Sequence, residues 1–345
     1  DQTSLRIEAL HRLQGTDAAA SPAVQQALSK VLDQIRGEPE FVELIRDFDV
    51  VSRLGEIEQL ALEKYATPPG VQALQLLLVK GRLDGLKGAL AKAQPDPTPL
   101  VEALGNTGDN RAAGLLTPLV NDPARPVLLR RTAVRAAAKS QAGAKQLLAM
   151  TAEGKLPDDV RLVASSELNS ARWATIKAEA KKLLPPPAAK GDASLPSIGE
   201  LAKMTGDPVK GANFFRRQDI GCINCHQVNG EGVDFGPKLS EIGTKLGKDA
   251  LYEAILDPSS GIAFGFEAWS LTLKNGDEAF GLIASETEDE VVMKAQGGVL
   301  TRYKKSDIDK REKQAQSIMP VGLQANLTTQ EFADLVEYLT TLKKR

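Results

Sequence analysis

Two cysteines and a histidine lie within one short segment of the chain, Cys222-Ile223-Asn224-Cys225-His226. The chain has no other cysteine and one other histidine, so this segment holds both of its thiols. Two cysteines separated by two residues and followed by histidine form the attachment motif of c-type haem. The thiols bond to the two vinyl-derived carbons of the porphyrin, and the imidazole binds the iron. We therefore predict one covalent haem c, held by Cys222 and Cys225, with His226 as an iron ligand.

Paired cysteines at this spacing also occur in zinc sites and in redox-active dithiols. A structural zinc ion is held by four ligands, usually cysteine or histidine, and His11 is the one further residue of those types in the chain. A thioredoxin-like dithiol occurs in a β-α-β setting, which the sequence around the motif does not offer. Haem is therefore preferred over both alternatives.

A second axial ligand for the iron must come from another part of the chain. His11 belongs to the helical first half, so ligation by two histidines is not expected. The remaining soft ligands are the four methionines, Met150, Met204, Met293 and Met319. Met319 stands directly before Pro320, whose ring holds a loop extended and removes a competing donor. We predict Met319 as the second metal ligand, with simple packing as its alternative role.

The imidazole of His226 needs a partner for its second ring nitrogen. A metal-binding histidine usually donates that N–H group to a carbonyl, which fixes the orientation of the ring. Gly236-Pro237 follows the motif, and we predict that the Pro237 carbonyl is the acceptor, which makes Pro237 a cofactor-binding residue. The alternative is that this dipeptide forms a simple turn.

Residues 1–184 show the hydrophobic periodicity of helices. Apolar residues recur at intervals of three and four, as at Leu28 and Val31, and glycine or proline interrupts the pattern repeatedly. An apolar residue, arginine, two further residues and alanine form a pattern that begins at Leu5, Leu129 and Val160. The pattern resembles HEAT-type repeats, in which small residues let neighbouring helices approach closely. The alternative is an irregular all-helical domain.

Residues 185–204 form a predicted linker and lead-in that begins with three consecutive prolines. Residues 205–345 have a different pattern, with helical periodicity first and then alternating apolar residues over about 266–311. The predicted fold class is therefore mostly α, with a HEAT-like helical domain followed by a C-terminal domain that carries a small inserted antiparallel β-module.

Two local signals predict where elements of the C-terminal domain begin or end. Asn275-Gly276 between alternating apolar residues is typical of a tight turn between two strands. Thr328 or Thr329 provides an N-cap, with Glu331 close behind, for a final amphipathic helix that runs to about residue 343.

Taken together, these segments resemble a class I cytochrome c. The matching segments are Gly206-Asp207-Pro208, Lys210-Gly211, Phe215, the motif 222–226, Gly230-Glu231-Gly232, Gly236-Pro237, Leu239, Ile242-Gly243, Met319-Pro320 and the helix with Leu335, Tyr338 and Leu339. The resemblance implies that a first helix with Gly211 and Phe215 crosses the last helix at Tyr338 and Leu339. It also implies the ligand role of Met319 and the acceptor role of Pro237.

The long interval between His226 and Met319 departs from a small cytochrome c. It resembles the large haem-binding domain of Planctomycetes and Verrucomicrobia, in which a β-module is inserted before the methionine loop. That resemblance implies a place near the end of a long extracytoplasmic protein, often behind a propeller of sugar-dehydrogenase type. The chain begins at Asp1 without an initiator methionine, which fits either a cleaved signal peptide or excision from a longer protein. The sequence from Ser4 onward already resembles the middle of a helical repeat, so excision is the expectation.

Composition narrows the classes of partner. The formal net charge is −2, and residues 205–345 hold 17 basic and 21 acidic residues, without a basic stripe interleaved with aromatics. Nucleic-acid binding is therefore not expected. The sequence has no run of eighteen apolar residues, so no transmembrane segment is predicted.

The expected function is electron transfer in the periplasm or another extracytoplasmic compartment of a bacterium. The chain is not expected to be an enzyme by itself, and its expected partner is a redox protein or an upstream dehydrogenase domain. The alternative is a haem enzyme, or a gas or redox sensor, with a labile sixth ligand. In that case the helical repeats would act as a scaffold for docking a partner.

Overall fold

The computed structural model describes residues 2–185, 195–217 and 220–344. Helices predominate and one small antiparallel sheet lies in the second half, so the predicted mostly helical fold with a small antiparallel β-module is confirmed. Within these ranges, every helix is too short or too polar to cross a lipid bilayer. Residues 186–194, nine of the twenty residues of the predicted linker and lead-in, lie outside the described residues.

The N-terminal helical region, residues 2–185, consists of α-helices joined by short turns. Their bounds are α1 Gln2–Leu13, α2 Pro22–Gln34, α3 Pro39–Asp47, α4 Leu54–Glu63, α5 Pro68–Val79, α6 Asp84–Ala91, α7 Thr98–Asn106, α8 Ala113–Val120, α9 Val127–Ala138, α10 Gln141–Ala152, α11 Asp158–Asn169 and α12 Ala174–Leu183, with 3-10 helices at Asp17–Ala20, Val51–Arg53 and Asn110–Ala112. Several of these helices have proline in the first turn, and several have a serine or threonine hydroxyl that caps the first turn. Thr67, for example, accepts the Gly70 N–H at 3.3 Å.

Small residues bring the helices of this region close together. A Cβ atom added at Gly105 in α7 would lie 2.6 Å from Cα of Ala136 in α9. Ala133 and Ala164, the alanines of two copies of the repeated pattern, are completely buried. In the first copy, by contrast, Leu5 is 71% exposed. The pattern therefore coincides with close helix packing in two of its three copies.

The C-terminal region, residues 195–344, contains five α-helices in its described part. Their bounds are α13 Ile198–Leu201, α14 Pro208–Arg216, α15 Ile242–Lys245, α16 Lys248–Leu256 and α17 Thr329–Thr341, with 3-10 helices at Cys222–Asn224, Lys305–Asp307 and Leu323–Asn326. A Cβ atom at Gly211 in α14 would overlap the carbonyl oxygen of Asp334 in α17, and the rings of Phe215 and Tyr338 lie 5.8 Å apart. The predicted crossing of the first and last helices is therefore confirmed.

The start of α17 follows the predicted cap. The Thr328 hydroxyl accepts the Glu331 N–H at 3.2 Å, and the Glu331 carboxylate accepts the Thr328 N–H at 2.8 Å. This reciprocal pair satisfies two backbone donors that would otherwise lack partners at the helix start. One turn further along, the buried carboxylate of Asp334 accepts the Asp207 N–H at 2.8 Å and ties α17 to the start of α14.

The sheet has five antiparallel strands in the order β4-β3-β2-β1-β5. Their bounds are β1 Ala268–Leu273, β2 Glu278–Glu286, β3 Glu290–Ala295, β4 Val299–Lys304 and β5 Ile308–Lys313. The predicted turn is confirmed, because Gly276 has φ +86° and donates its N–H to the Leu273 carbonyl at 2.8 Å. Strand β5 is not among the predicted strands. Ile308 is its only apolar residue, as is common where a charged edge strand blocks further pairing.

The sheet packs against the N-terminal helical region. Val299 of β4 is 1% exposed and belongs to the same hydrophobic core as the helices. Arg172 lies between the rings of Trp173 and Phe280, at 4.3 and 4.4 Å, and its guanidinium binds the Glu278 carboxylate at 3.0 Å. The sheet therefore connects the helical region to the segments that surround the cysteine motif.

Candidate haem site

The cysteine motif forms one tight turn of backbone. Gly221, with φ +79°, precedes the 3-10 helix Cys222–Asn224. The Cys222 carbonyl accepts the N–H groups of Cys225 at 3.2 Å and His226 at 2.9 Å. Both cysteines are free and half-buried. The turn thus presents two thiols and one imidazole from adjacent positions of a single fixed segment.

The imidazole of His226 is held from one side. Its Nδ1 atom lies 2.8 Å from the carbonyl oxygen of Pro237, the acceptor proposed from the sequence. A proton on Nδ1 leaves Nε2 as the ring atom with a free lone pair, which is the form that binds a metal. Burial lowers the pKa of His226, with the Pro237 hydrogen bond acting in the opposite direction, so the neutral ring is favoured.

Glycines let the following loop fold back against the motif. A Cβ atom at Gly236 would lie 2.8 Å from Cε1 of His226, so the ring packs directly against bare backbone. Gly232 has φ +103°, and a Cβ atom there would overlap the His226 carbonyl oxygen. The returning chain donates the Val233 N–H to Ile223 at 3.0 Å. These close approaches leave the ring little freedom to turn.

The thiols do not have the properties of a redox dithiol or a zinc site. Burial raises the pKa of Cys222 to about 12 and also raises the pKa of Cys225. A reactive dithiol shows the opposite shift, because the thiolate is its reacting form. In the described parts of the chain, no group of three cysteine, histidine or acidic side chains is placed to hold a metal ion. Both alternatives to haem therefore lose support.

The four methionines fall into two groups. Met293 is 2% exposed in the core of the sheet, and Met150 packs against the core of the helical region. Met204 and Met319 both pack against the core of the C-terminal region, which also receives Cys222. The structure therefore leaves Met204 as a competitor of Met319 that the sequence analysis did not rank highly. His11 lies elsewhere, with Nδ1 3.5 Å from the Asp47 carboxylate.

The donor groups of the motif and of the adjoining core fit a porphyrin. Two thiols and an imidazole share one turn, and a thioether lies in the same core. Tyr252 is completely buried, burial raises its pKa to about 12, and its hydroxyl has no partner in the described structure. The Oε1 atom of Gln324 is also buried without a partner there. A buried polar atom left unpaired costs about 1–3 kcal/mol. The fit to a porphyrin rests on the donor set of two thiols, an imidazole and a thioether.

A cavity of about 610 Å³ separates the motif from the helical region. Asn224 and Phe235 line it on the motif side, and Ile318 and Pro320 line it beside Met319. Its volume lies within the range of small-molecule sites, and such sites are frequent at domain interfaces.

Charged side chains of the helical region line the same cavity. Lys139 donates to the Asn106 side chain at 2.6 Å, and burial lowers the pKa of its ammonium group. Glu167 lies 3.9 Å from Arg135, and burial raises the pKa of its carboxyl group. From the sheet, Gln296 approaches the Cys225 sulfur at 3.8 Å. No pattern along the chain connects these residues to the motif, so the sequence does not predict them.

The comparisons with known proteins agree with this geometry. The family model for Cytochrome c matches residues 208–276, from the first residue of α14 to the turn after β1. No curated protein matches the chain. The match supports a cytochrome c domain with covalently bound haem, and therefore haem-based electron transfer and a redox partner. Met319 lies beyond the matched residues.

Proposed function

We propose that the protein transfers single electrons outside the cytoplasm through one haem c bound to Cys222 and Cys225, with His226 and Met319 as axial ligands of the iron. One observation carries the proposal. The imidazole of His226, on the same turn as both thiols, has Nδ1 engaged by Pro237 and Nε2 left for a metal.

A haem with imidazole and thioether ligands exchanges one electron at a raised reduction potential. The chain contributes by fixing its own groups before and after that exchange. Pro237 and Gly236 hold the imidazole in one orientation, so the ligand need not move when the charge changes. The apolar core formed by α14, α16 and α17 packs against Cys222 and Ile223 and shields that side of the motif from water.

Met319 is favoured over Met204 by its loop. Ser317 receives the Met319 N–H at 3.2 Å, and Ser317 donates its own N–H to Ser259 at 3.2 Å. Pro320 then restricts the backbone directly after the ligand. Met204, in contrast, follows the single turn of α13, and its carbonyl already binds Lys248 at 2.6 Å.

The finer domain organisation also remains our proposal. We assign residues 1–184 to a HEAT-like helical repeat domain and 205–345 to the cytochrome domain, with the sheet as its inserted β-module. Buried Ala133 and Ala164 support the repeat interpretation. The large haem-binding domain family and the link to a larger dehydrogenase-containing protein in the periplasm are proposed on the sequence resemblance alone.

The cavity favours a second candidate function. Because Asn224 of the motif and Ile318 and Pro320 beside Met319 line it, a small molecule bound there would lie close to the methionine loop. The protein would then be a haem enzyme, or a gas or redox sensor, and the helical region would serve as a docking scaffold. Ligation strength at Met319 separates the two candidates.

The test is optical and uses the haem-loaded chain. We expect a weak near-infrared sulfur-to-iron band in the ferric protein, lost in Met319→Ala and kept in the matched control Met204→Ala. We also expect the ferrous wild type to bind carbon monoxide weakly, and Met319→Ala to bind it readily. A wild type that lacks the band and binds carbon monoxide readily would favour the second candidate. Loss of the band in Met204→Ala alone would reassign the ligand.

A further inference from the structure

The loop that carries Met319 is bound by the N-terminal helical region two residues after the methionine. Val321 donates its N–H to the hydroxyl of Ser170 at 2.9 Å. Its carbonyl accepts the hydroxyl of Ser166 at 2.8 Å. Both main-chain groups of one residue are therefore held by two serines of another region.

The two serines are arranged for this contact. Ser166 and Ser170 lie one helical turn apart, so their side chains project from the same side of the helix end. The Ser170 hydroxyl donates to the Ser166 carbonyl at 2.8 Å, which leaves its oxygen lone pairs available to the Val321 N–H. All three residues are half-buried, so water competes only partly for these bonds.

The other side of the methionine is held within the C-terminal region. The Ser317 N–H binds the Ser259 hydroxyl at 3.2 Å, and the Met319 N–H binds the Ser317 hydroxyl at 3.2 Å. Met319 thus stands between two anchors that belong to different parts of the chain. Pro320 lies between the methionine and the second anchor and restricts the backbone there.

We propose that the N-terminal helical region positions the axial methionine: Ser166 and Ser170 hold Val321 and thereby keep the Met319 sulfur at the iron. The inference rests on the proposed His226 and Met319 ligation. The two serines are positioning residues, because they act through the loop and do not touch the iron. Separation of α11 from the loop would favour the state in which methionine is detached.

The chain offers a matched control on the same helix. Ser165 is buried, and its hydroxyl donates to the carbonyls of Leu184 at 3.2 Å and Pro185 at 2.7 Å, both inside the helical region. Ser165→Ala therefore removes a serine hydroxyl from α11 without touching the methionine loop. It should lower the melting temperature of the helical region and leave the iron ligands unchanged.

The experiment compares the haem-loaded wild type, the double variant Ser166→Ala, Ser170→Ala and Ser165→Ala. Two ordinary hydrogen bonds shift a local equilibrium by roughly tenfold, so the double variant should bind carbon monoxide in the ferrous state roughly tenfold more tightly. Its ferric near-infrared band should weaken, and its reduction potential should fall. Ser166→Thr, Ser170→Thr keeps both hydroxyls and should restore wild-type behaviour.

The outcomes separate this inference from the function on which it rests. A wild type without the near-infrared band overturns both. A wild type with the band, together with a double variant of unchanged band and carbon monoxide affinity, overturns the serine contact alone. If the double variant does not accumulate, amide exchange in the wild type decides. The Val321 N–H should be protected and should exchange together with α11, and an unprotected Val321 refutes the proposal.

Discussion

The N-terminal helical region and the C-terminal region are held together by different means. The helical region has one continuous core of leucine, valine, isoleucine and alanine that extends from α1 to α12. The C-terminal region has a much smaller core, closed by α14 and α17 and by loops that hydrogen-bond to the cysteine motif. The first region can fold by burying its own side chains, whereas the second contains groups that fit a bound porphyrin.

The position of the sheet in the sequence does not show which of the two regions it unfolds with. Although it falls within the C-terminal region in sequence, Val299 belongs to the helical core, and Ala295 packs against that core. Four buried residues form the sheet's own core, Leu271, Ala279, Val291 and Met293. We infer that the sheet depends on the helical region for stability more than on the haem site. The comparison then predicts which parts unfold together.

The largest expected effect comes from removing haem attachment. In Cys222→Ala, Cys225→Ala, the segments around the motif should lose cooperative unfolding, because a ligand that fills the core stabilises only the folded state. The helical region should keep its melting transition. Hydrogen exchange resolved by residue is the measurement, with rapid exchange expected in α14 and α17 and continued protection in α9 and α11.

Hydrogen exchange in the sheet of the same haem-free variant is the more decisive measurement. Protection of β3 and β4 in the haem-free variant would agree with their packing on the helices. Exchange of β3 and β4 at the rate of α17 would show instead that the sheet depends on the haem site. A haem-free variant with a fully protected α14 would contradict the contrast between the two regions.

A smaller effect is expected from filling the close helix crossings. Gly211→Ala places a methyl group against the Asp334 carbonyl, and Gly105→Ala places one 2.6 Å from Cα of Ala136. Each should cost about 1–3 kcal/mol, the usual range for overpacking a closely packed contact. Gly211→Ala should lower only the transition of the C-terminal helices, and Gly105→Ala only that of the helical region, as read from denaturant titrations.

Gly88→Ala is the control for this pair. Gly88 lies within α6, where an added Cβ atom meets nothing within 4 Å. That variant should stabilise the helical region by up to about 1 kcal/mol, the difference in helix propensity between the two residues. If Gly211→Ala and Gly105→Ala lowered the same transition, the two regions would be one cooperative unit.

The features that could be predicted from the sequence are those formed by residues close together in the chain. The cysteine motif, the Thr328 and Glu331 cap and the Asn275-Gly276 turn each depend on residues a few positions apart. Their geometry is set by bonding rules that act within one turn of backbone. The Pro237 carbonyl oxygen also lies within hydrogen-bond distance of the His226 ring, 2.8 Å from Nδ1, as the sequence predicts.

Contacts between distant segments were not predictable in the same way. Ser166 and Val321 are 155 positions apart. A serine within a helix usually faces solvent or bonds to its own helix, so its presence does not predict a long-range contact. Gln296 lies 3.8 Å from the Cys225 sulfur. Burial raises the pKa of that thiol, and the charge of Lys139, from the helical region, acts in the opposite direction. Only the folded packing brings these two residues near the motif. Strand β5 could not be predicted, because its residues lack the alternating hydrophobic pattern that identifies a strand. Its pairing with β1 is visible only in the folded structure.

The smallest expected effect concerns the charged edge strand β5, whose Arg311 binds Glu286 at the end of β2. Hydrogen bonds from Arg311 and Lys305, at 2.9 and 2.8 Å, lower the pKa of Glu286 from 4.5 to about 2. Because the folded pKa lies below the unfolded one, the carboxylate stabilises the sheet above about pH 4.5. That stabilisation is lost as the pH falls towards 2. The group is exposed, so the effect at pH 7 should stay below about 1 kcal/mol.

Glu286→Gln tests whether this edge contributes to the stability that the sheet shares with the helices. The variant should be slightly less stable than the wild type at pH 7, and the difference should shrink between pH 4.5 and pH 3 and in high salt. Denaturant unfolding of the sheet, followed through Trp269, is the measurement. Glu288→Gln is the control, since the described structure gives Glu288 no ion pair. An equal loss in both variants would mean that general charge, and not the Arg311 and Lys305 contacts, supports the edge. A difference that grew at low pH would contradict the assigned pKa direction.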